Sequence, residues 1–166
     1  VKSEFIGFYQ VAFNLIVSAS AILSFSAIAM LPIFSRLKKE KLYIGFEKTR
    51  NITFLISISA FVFTLIIATF LVQIIYGDAY NQSVVYLRLF SLLIISFPLI
   101  ALYQTYYTSQ KRTKVISVLL IISTIINIFL NFVFINIGLG YGMNEAVLGA
   151  CFATIISRYS YLAGLV

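Results

Sequence analysis

Arg88 and Arg158 are the only charged residues in segments 79–110 and 146–166 of this 166-residue chain. A guanidinium is planar and permanently charged, and its five N–H donors pair bidentately with phosphate or carboxylate oxygens. Amides and hydroxyls recur at helical spacing in the same kind of apolar surroundings. Gln10, Asn14, Ser18, Ala21 and Ser24 fall within roughly 120° of arc, shared with Val17, Phe25 and Ile28. Ser117, Thr124, Asn127 and Asn131 fall within roughly 80°, and Gly149, Ala150, Ala153, Thr154 and Ser157 form a third small, polar row. Each row reads either as a packing face between helices or as the wall of a solvated cavity.

The groups that are missing narrow the chemistry further. All five acids, Glu4, Glu40, Glu47, Asp78 and Glu145, lie outside the long apolar runs. A proton- or sodium-coupled site needs a buried carboxylate, so the expected ligand is anionic or neutral. The many Ser and Thr residues have no accompanying base, and nucleophilic catalysis is not expected. The chain has no His, and its one cysteine, Cys151, stands alone. No disulfide framework, zinc or haem site follows, and no cofactor is expected.

The elements that carry these residues are set by composition. The chain is 61% hydrophobic and 10% charged, with mean hydropathy +1.04. Soluble domains are about 45–50% apolar and about 25% charged. A globule of this size leaves roughly a third of its surface wet, too much for a chain this apolar. The solvent must be lipid. A helix needs about 20 apolar residues to cross roughly 30 Å of hydrocarbon. The runs without charge predict an all-α transmembrane fold of five spans, at about 8–34, 52–76, 84–108, 114–137 and 146–166. Strands of a membrane barrel would alternate in polarity over about 10 residues, and these runs do not.

Charge is concentrated between the spans. The stretch "SRLKKEKLYIGFEKTR", Ser35 to Arg50, holds eight of the chain's charged residues, which number 12 Lys and Arg and 5 Asp and Glu. With Lys114, the connections 35–51 and 109–113 carry nine Lys or Arg, whereas 77–83 and 138–145 carry only Asp78 and Glu145. The net charge of +7 therefore reads as an orientation signal rather than a nucleic-acid footprint. It predicts a multi-pass protein of the cell membrane with 35–51 and 109–113 cytoplasmic and the N-terminus outside. Leu42, Tyr43, Ile44 and Phe46 interrupt the basic stretch, which reads either as a solvated loop or as a short amphipathic turn on anionic lipid.

Arg158 lies about twelve residues into its span, roughly 18 Å along the axis. It continues the Ala150–Thr154 row at i+4 and so points with the small face. An intramembrane charge costs about 2.5–3.5 kcal/mol on insertion scales, which makes it a functional candidate. A structural bond to helix carbonyls or a reach to the inner interface is the other reading. Arg88 stands about one turn inside the outer edge of its span, where snorkelling to headgroups is the alternative.

Several stretches resemble the polysaccharide flippases, the O-antigen-type exporters of lipid-linked oligosaccharide in the multidrug/oligosaccharidyl-lipid/polysaccharide exporter superfamily. "IGFYQVAFNL" resembles the entry to the second helix of a lobe, and "AMLPIFSRL" its Leu-Pro-x-x-Ser-Arg exit. "IIYGDAYNQSVVYLRLFSL" is similar to the family's Tyr-Gly-x-x-Tyr-x-x-Ser turn followed by Leu-Arg. "YQTYYTSQKRTK" resembles the Gln-containing helix end and basic turn. "NIFLNFVFI" and "GYGMNEAVLGACFATIIS" resemble the Asn-rich helix, glycine turn and following helix start. The resemblance covers nearly the whole chain in order. One departure is the 138–145 connection, which reads as longer than the family's glycine turn, with Asn144 and Glu145 inserted.

The resemblance implies that residues 1–166 are one helical domain, the C-terminal lobe of a two-lobe exporter lacking its first helix, within a longer protein. It implies alternating access and a polyprenyl-pyrophosphate-linked oligosaccharide as cargo. Its further partners would be membrane lipids and the remainder of its own chain. Arg158 and Arg88 would then meet the charged head group, with Asn14, Gln104, Asn127 and Asn131 in the polar cavity wall. The alternatives are a multidrug or cation antiporter of the same superfamily, with carboxylates in the other lobe, a membrane-embedded glycan-processing enzyme, or a purely structural role.

Overall fold

Lipid offers no partner to a backbone amide, so each apolar run closes its own hydrogen bonds as a helix. The computed structural model describes residues 3–166, the side chain of Lys39 apart. Every described element is helical. Helix α1 spans Ser3–Ala29 and α2 spans Leu31–Arg36, with Pro32 in its first turn. Helix α3 runs from Lys39 to Tyr76 and ends on Gly77. A short 3-10 turn, Asp78–Tyr80, leads to α4 (Ser83–Phe90), α5 (Leu93–Ser109), α6 (Thr113–Leu139) and α7 (Met143–Leu165). Four helices or helix pairs are long and apolar enough to cross a membrane, and the bent pair α4 and α5 makes five if it counts as one span.

Three expectations need correction. The basic stretch 35–51 is not a loop. After two extended residues, Leu37 and Lys38, the chain turns directly into α3, and Lys39–Arg50 is its first third. At about 1.5 Å per residue the 38-residue α3 is about 57 Å long, nearly twice the hydrocarbon thickness. Leu42 and Phe46, one turn apart, are buried and fasten this extension to the bundle. Neither the solvated loop nor the short amphipathic turn describes it.

The third span is two helices whose axes differ by 41°. Pro98 has no amide hydrogen for the Ile94 carbonyl, and its ring crowds that carbonyl. One turn earlier the backbone uses tighter i→i−3 bonds, Ile94 N–H to Ser91 at 3.0 Å and Ile95 N–H to Leu92 at 3.2 Å. The Tyr159 hydroxyl of α7 also donates to the Leu92 carbonyl, at 2.8 Å.

The 138–145 connection is short rather than long. Asn144 and Glu145 belong to the first turn of α7, leaving Gly140, Tyr141 and Gly142 as the turn. Helices α6 and α7 can close so tightly because Gly138 abuts the Ala146 backbone and Gly149 the Phe134 carbonyl. A Cβ on either glycine would stand 2.6–2.7 Å from those atoms.

Two buried clusters hold the bundle. In the first, Phe90 of α4 meets Tyr9 and Phe13 of α1 edge-on, at 5.1 and 5.4 Å between ring centroids, near Ala68, Val72, Cys151 and Ile155. In the second, Phe46 packs against Phe34, Tyr103 and Tyr106, with Tyr161 and Leu165 nearby. The Phe46–Tyr106 contact brings the start of α3 to the basic α5–α6 turn. At the other end Gln82 and Tyr86 both donate to the Asn144 side chain, at 2.9 and 3.3 Å. Thus the two basic connections share one end of the bundle, and Asp78 and Glu145 share the other.

The close α6–α7 approach gives a test. Gly149→Val should destabilise the chain by about 1–3 kcal/mol and lower its thermal midpoint in detergent. Gly7→Ala, with open space around the added carbon, should not lower it.

Candidate functional site

Helix α7 forms the floor of a cleft whose walls are α1 and α6. Its row of small residues lets α6 approach on one side and leaves a shallow channel on the other. The cleft measures 370 Å³, and Phe5, Ile6, Tyr9, Asn131, Ile135 and Ala150 are among its lining residues. Hydrogen bonds fix both walls to the floor. The Tyr9 hydroxyl of α1 lies 3.0 Å from the Thr154 hydroxyl, which also donates to the Ala150 carbonyl. From α6, the Asn127 amide donates to the Ser157 hydroxyl at 3.0 Å. The Ser123 hydroxyl donates to the Ser157 carbonyl at 2.8 Å. Asn131 donates to the Asn127 carbonyl and side chain at 2.9 and 3.1 Å, and it faces the cleft.

Arg158 sits one turn beyond Thr154, half-buried, with its guanidinium carbon 5.9 Å from the centroid of the Phe97 ring of α5. A ring face attracts a cation but accepts no conventional N–H···O bond. Among the described residues Arg158 has no carboxylate within salt-bridge distance and no side-chain hydrogen bond. Phe97 lies twelve residues before the end of α5, about 18 Å from the basic turn. The cation therefore stands well inside the bundle with its donors uncommitted.

The other expected residues lie elsewhere. Arg88 is exposed on α4 and reaches Thr69 of α3 at 3.4 Å. It shares no partner with Arg158, so the structure does not bring the two arginines together. Gln104 donates to the Tyr161 hydroxyl at 2.9 Å and ties α5 to α7. Asn14 is exposed and accepts from Gln10 at 3.2 Å. The Gln10–Ser18 stripe thus faces out of the bundle, whereas Asn127 and Asn131 face α7. Ser117 and Thr124, of the same α6 row, are exposed and bond back to their own helix.

Tyr9, Ser123 and Tyr159 were not singled out by sequence reasoning. Tyrosine is common here, with 11 in the chain, and type alone does not separate a hydroxyl that spans two helices from a ring in the core. The one usable signal was Tyr9 preceding the polar stripe of the first span.

This arrangement offers hydrogen-bonding groups and a cation to a ligand. A hydroxyl pair and two amides can serve a hydroxyl-rich group, and a nearby guanidinium an anion. The Tyr9–Thr154 bond should behave as an ordinary bond between membrane helices. A Tyr9→Phe and Thr154→Val double-mutant cycle, read by unfolding in detergent, should give a coupling of about 0.6 kcal/mol.

A family model described as "Polysaccharide biosynthesis protein" matches residues 1–85, from α1 into the first turn of α4. No curated protein and no solved structure matches the chain. The matched part holds "IGFYQVAFNL" and "AMLPIFSRL", whereas Arg88, Arg158 and the α6–α7 pair lie beyond it. With that match covering just over half of its length, the chain belongs to the polysaccharide biosynthesis protein family, as a membrane protein with a role in polysaccharide synthesis or export.

Proposed function

We propose that this chain is part of a flippase that moves polyprenyl-pyrophosphate-linked oligosaccharide across the cell membrane, and not an enzyme. One observation carries the reading: Arg158 is a half-buried cation inside an apolar bundle, set over the Phe97 ring and without a salt bridge or side-chain hydrogen bond among the described residues. A charge kept at that depth without a carboxylate calls for an intermittent anionic partner. A pyrophosphate supplies several oxygens for its donors. The Tyr9–Thr154 pair, one turn before Arg158, and Asn131 in the cleft suit the hydroxyls of an attached sugar. Arg88, on the far side of α4, then serves the headgroup region at the acidic end.

Movement of the cargo would follow alternating access, with two helical lobes rocking about a central cavity. This chain would be most of the C-terminal lobe, with the basic end cytoplasmic. The outward-facing polar stripe of α1, Gln10, Asn14 and Ser18, would then face the central cavity or the remainder of the protein.

The test uses the full-length protein in liposomes and a fluorescent lipid-linked oligosaccharide. Wild type should deliver the label to the opposite leaflet, and Arg158→Ala should cut the rate at least about tenfold, about 1.4 kcal/mol of lost stabilisation. Arg158→Lys, which keeps the charge but loses the bidentate fork, should fall between them. Normal transport by Arg158→Ala would remove the phosphate role. Failure of wild type to move any glycolipid would remove the flippase reading.

A further inference from the structure

The basic end of the bundle has a second recess, remote from the cleft of α1, α6 and α7. Helices α3, α5 and α7 enclose a crevice of 160 Å³. Its apolar wall includes Phe54, Leu99, Tyr103 and Leu162, and Arg50 and Asn51 form its polar edge. Arg50 is the last charge before 27 residues without any, Asn51 to Gly77. The crevice therefore lies where α3 passes from the headgroup layer into hydrocarbon.

The state of Arg50 is informative. Its Nε and one terminal nitrogen donate to the Asn51 side chain at 3.3 and 3.2 Å, and the same terminal nitrogen lies 3.6 Å from Glu47. The other terminal nitrogen makes no hydrogen bond among the described residues. The Glu47 pair is a half-exposed contact one helical turn long, of the kind that contributes little. An oxyanion approaching the crevice mouth can therefore take Arg50 without breaking a buried ion pair. Around it the same end of the bundle collects nine Lys or Arg against Glu40 and Glu47. That excess favours an anion over a zwitterion.

We propose that this crevice binds one anionic phospholipid from the leaflet facing the basic end, its phosphate on Arg50 and the upper part of an acyl chain against Phe54, Leu99 and Leu162. Charge complementarity and position argue for a resident lipid. The recess opens at the level where phosphates of that leaflet lie, and its wall is hydrocarbon-like. It shares no lining residue with the cleft that holds Tyr9 and Asn131. The lipid site therefore stands or falls independently of the transported cargo.

The experiment is native mass spectrometry of the full-length protein, after equilibration with phosphatidylglycerol and phosphatidylcholine of identical acyl chains. Wild type should retain phosphatidylglycerol in preference. Arg50→Gln should reduce that retention about fivefold, the factor for about 1 kcal/mol. Lys48→Gln, the same charge change at an exposed position two residues away, should leave most of it. Equal retention of the two lipids would overturn the proposal. Equal losses in Arg50→Gln and Lys48→Gln would also overturn it, by showing a diffuse field in place of a site. Absence of bound lipid in wild type would do the same, as expected if another segment of the protein fills the crevice.

Discussion

A hydrocarbon solvent forms no hydrogen bonds, and an unpaired polar group placed in it costs several kcal/mol. The rest of this structure can be read as a response to that condition. Hydroxyls along the spans turn back to carbonyls of their own helix, as Ser59, Thr64 and Thr124 do to residues four positions earlier. At the break ahead of Pro98, i→i−3 backbone bonds and the Tyr159 hydroxyl satisfy the Ser91 and Leu92 carbonyls. The remaining side chains join helices: Tyr9 to Thr154, Asn127 to Ser157, Gln104 to Tyr161. The buried hydroxyls of Ser20, Ser57 and Ser83 lack a partner among the described residues. Arg158 departs furthest from the rule, with a full charge over the Phe97 ring and no side-chain hydrogen bond among the described residues.

That departure has meaning because its surroundings are so well satisfied. Tyr9, Asn127 and Ser157 hold the walls and floor of the cleft in place. The same bonds join α1 and α6 to α7, and the glycine contacts bring α6 and α7 close together. The proposed rocking of two lobes would require such a packed unit to move as one body. The cleft itself is mostly apolar, with Tyr9 and Asn131 as the polar side chains of its lining.

The two ends of the bundle do different work. At the acidic end short turns and the Gln82–Asn144 bond tie neighbouring spans together. At the basic end α3 continues past the hydrocarbon as a helix, and Leu42 and Phe46 seat it on the second aromatic cluster. Cationic side chains are thereby held on a folded surface just beyond the apolar part of α3, and anionic lipid would favour such a surface. The expected orientation and the proposed lipid contact would both rest on one feature, a basic helix extension with a single apolar stripe.

Much of this was legible in the chain itself. Runs of 22 to 30 residues without charge, such as 89–110 and 115–144, leave lipid as the only solvent and the helix as the only local answer, so the number and approximate place of the spans follow from composition. The segregation of Lys and Arg into alternate connections is equally a one-dimensional property. Span ends and breaks were less legible. The basic stretch reads as a loop because its charges mask the Leu42–Phe46 spacing, and only packing against Phe34 and Tyr106 shows that it is helix. Asn144 looked like part of a loop, but as a helix-start residue it accepts from Gln82 and Tyr86. The polar residues were the least legible. Periodicity placed Asn14 and Asn131 alike on polar faces, yet one looks out of the bundle and the other into the cleft. Sequence alone determined that helices must form and which residues are costly in lipid. Tertiary structure decided which of those residues find each other, because a hydrogen bond across helices depends on how the helices cross, and no spacing along one helix encodes that.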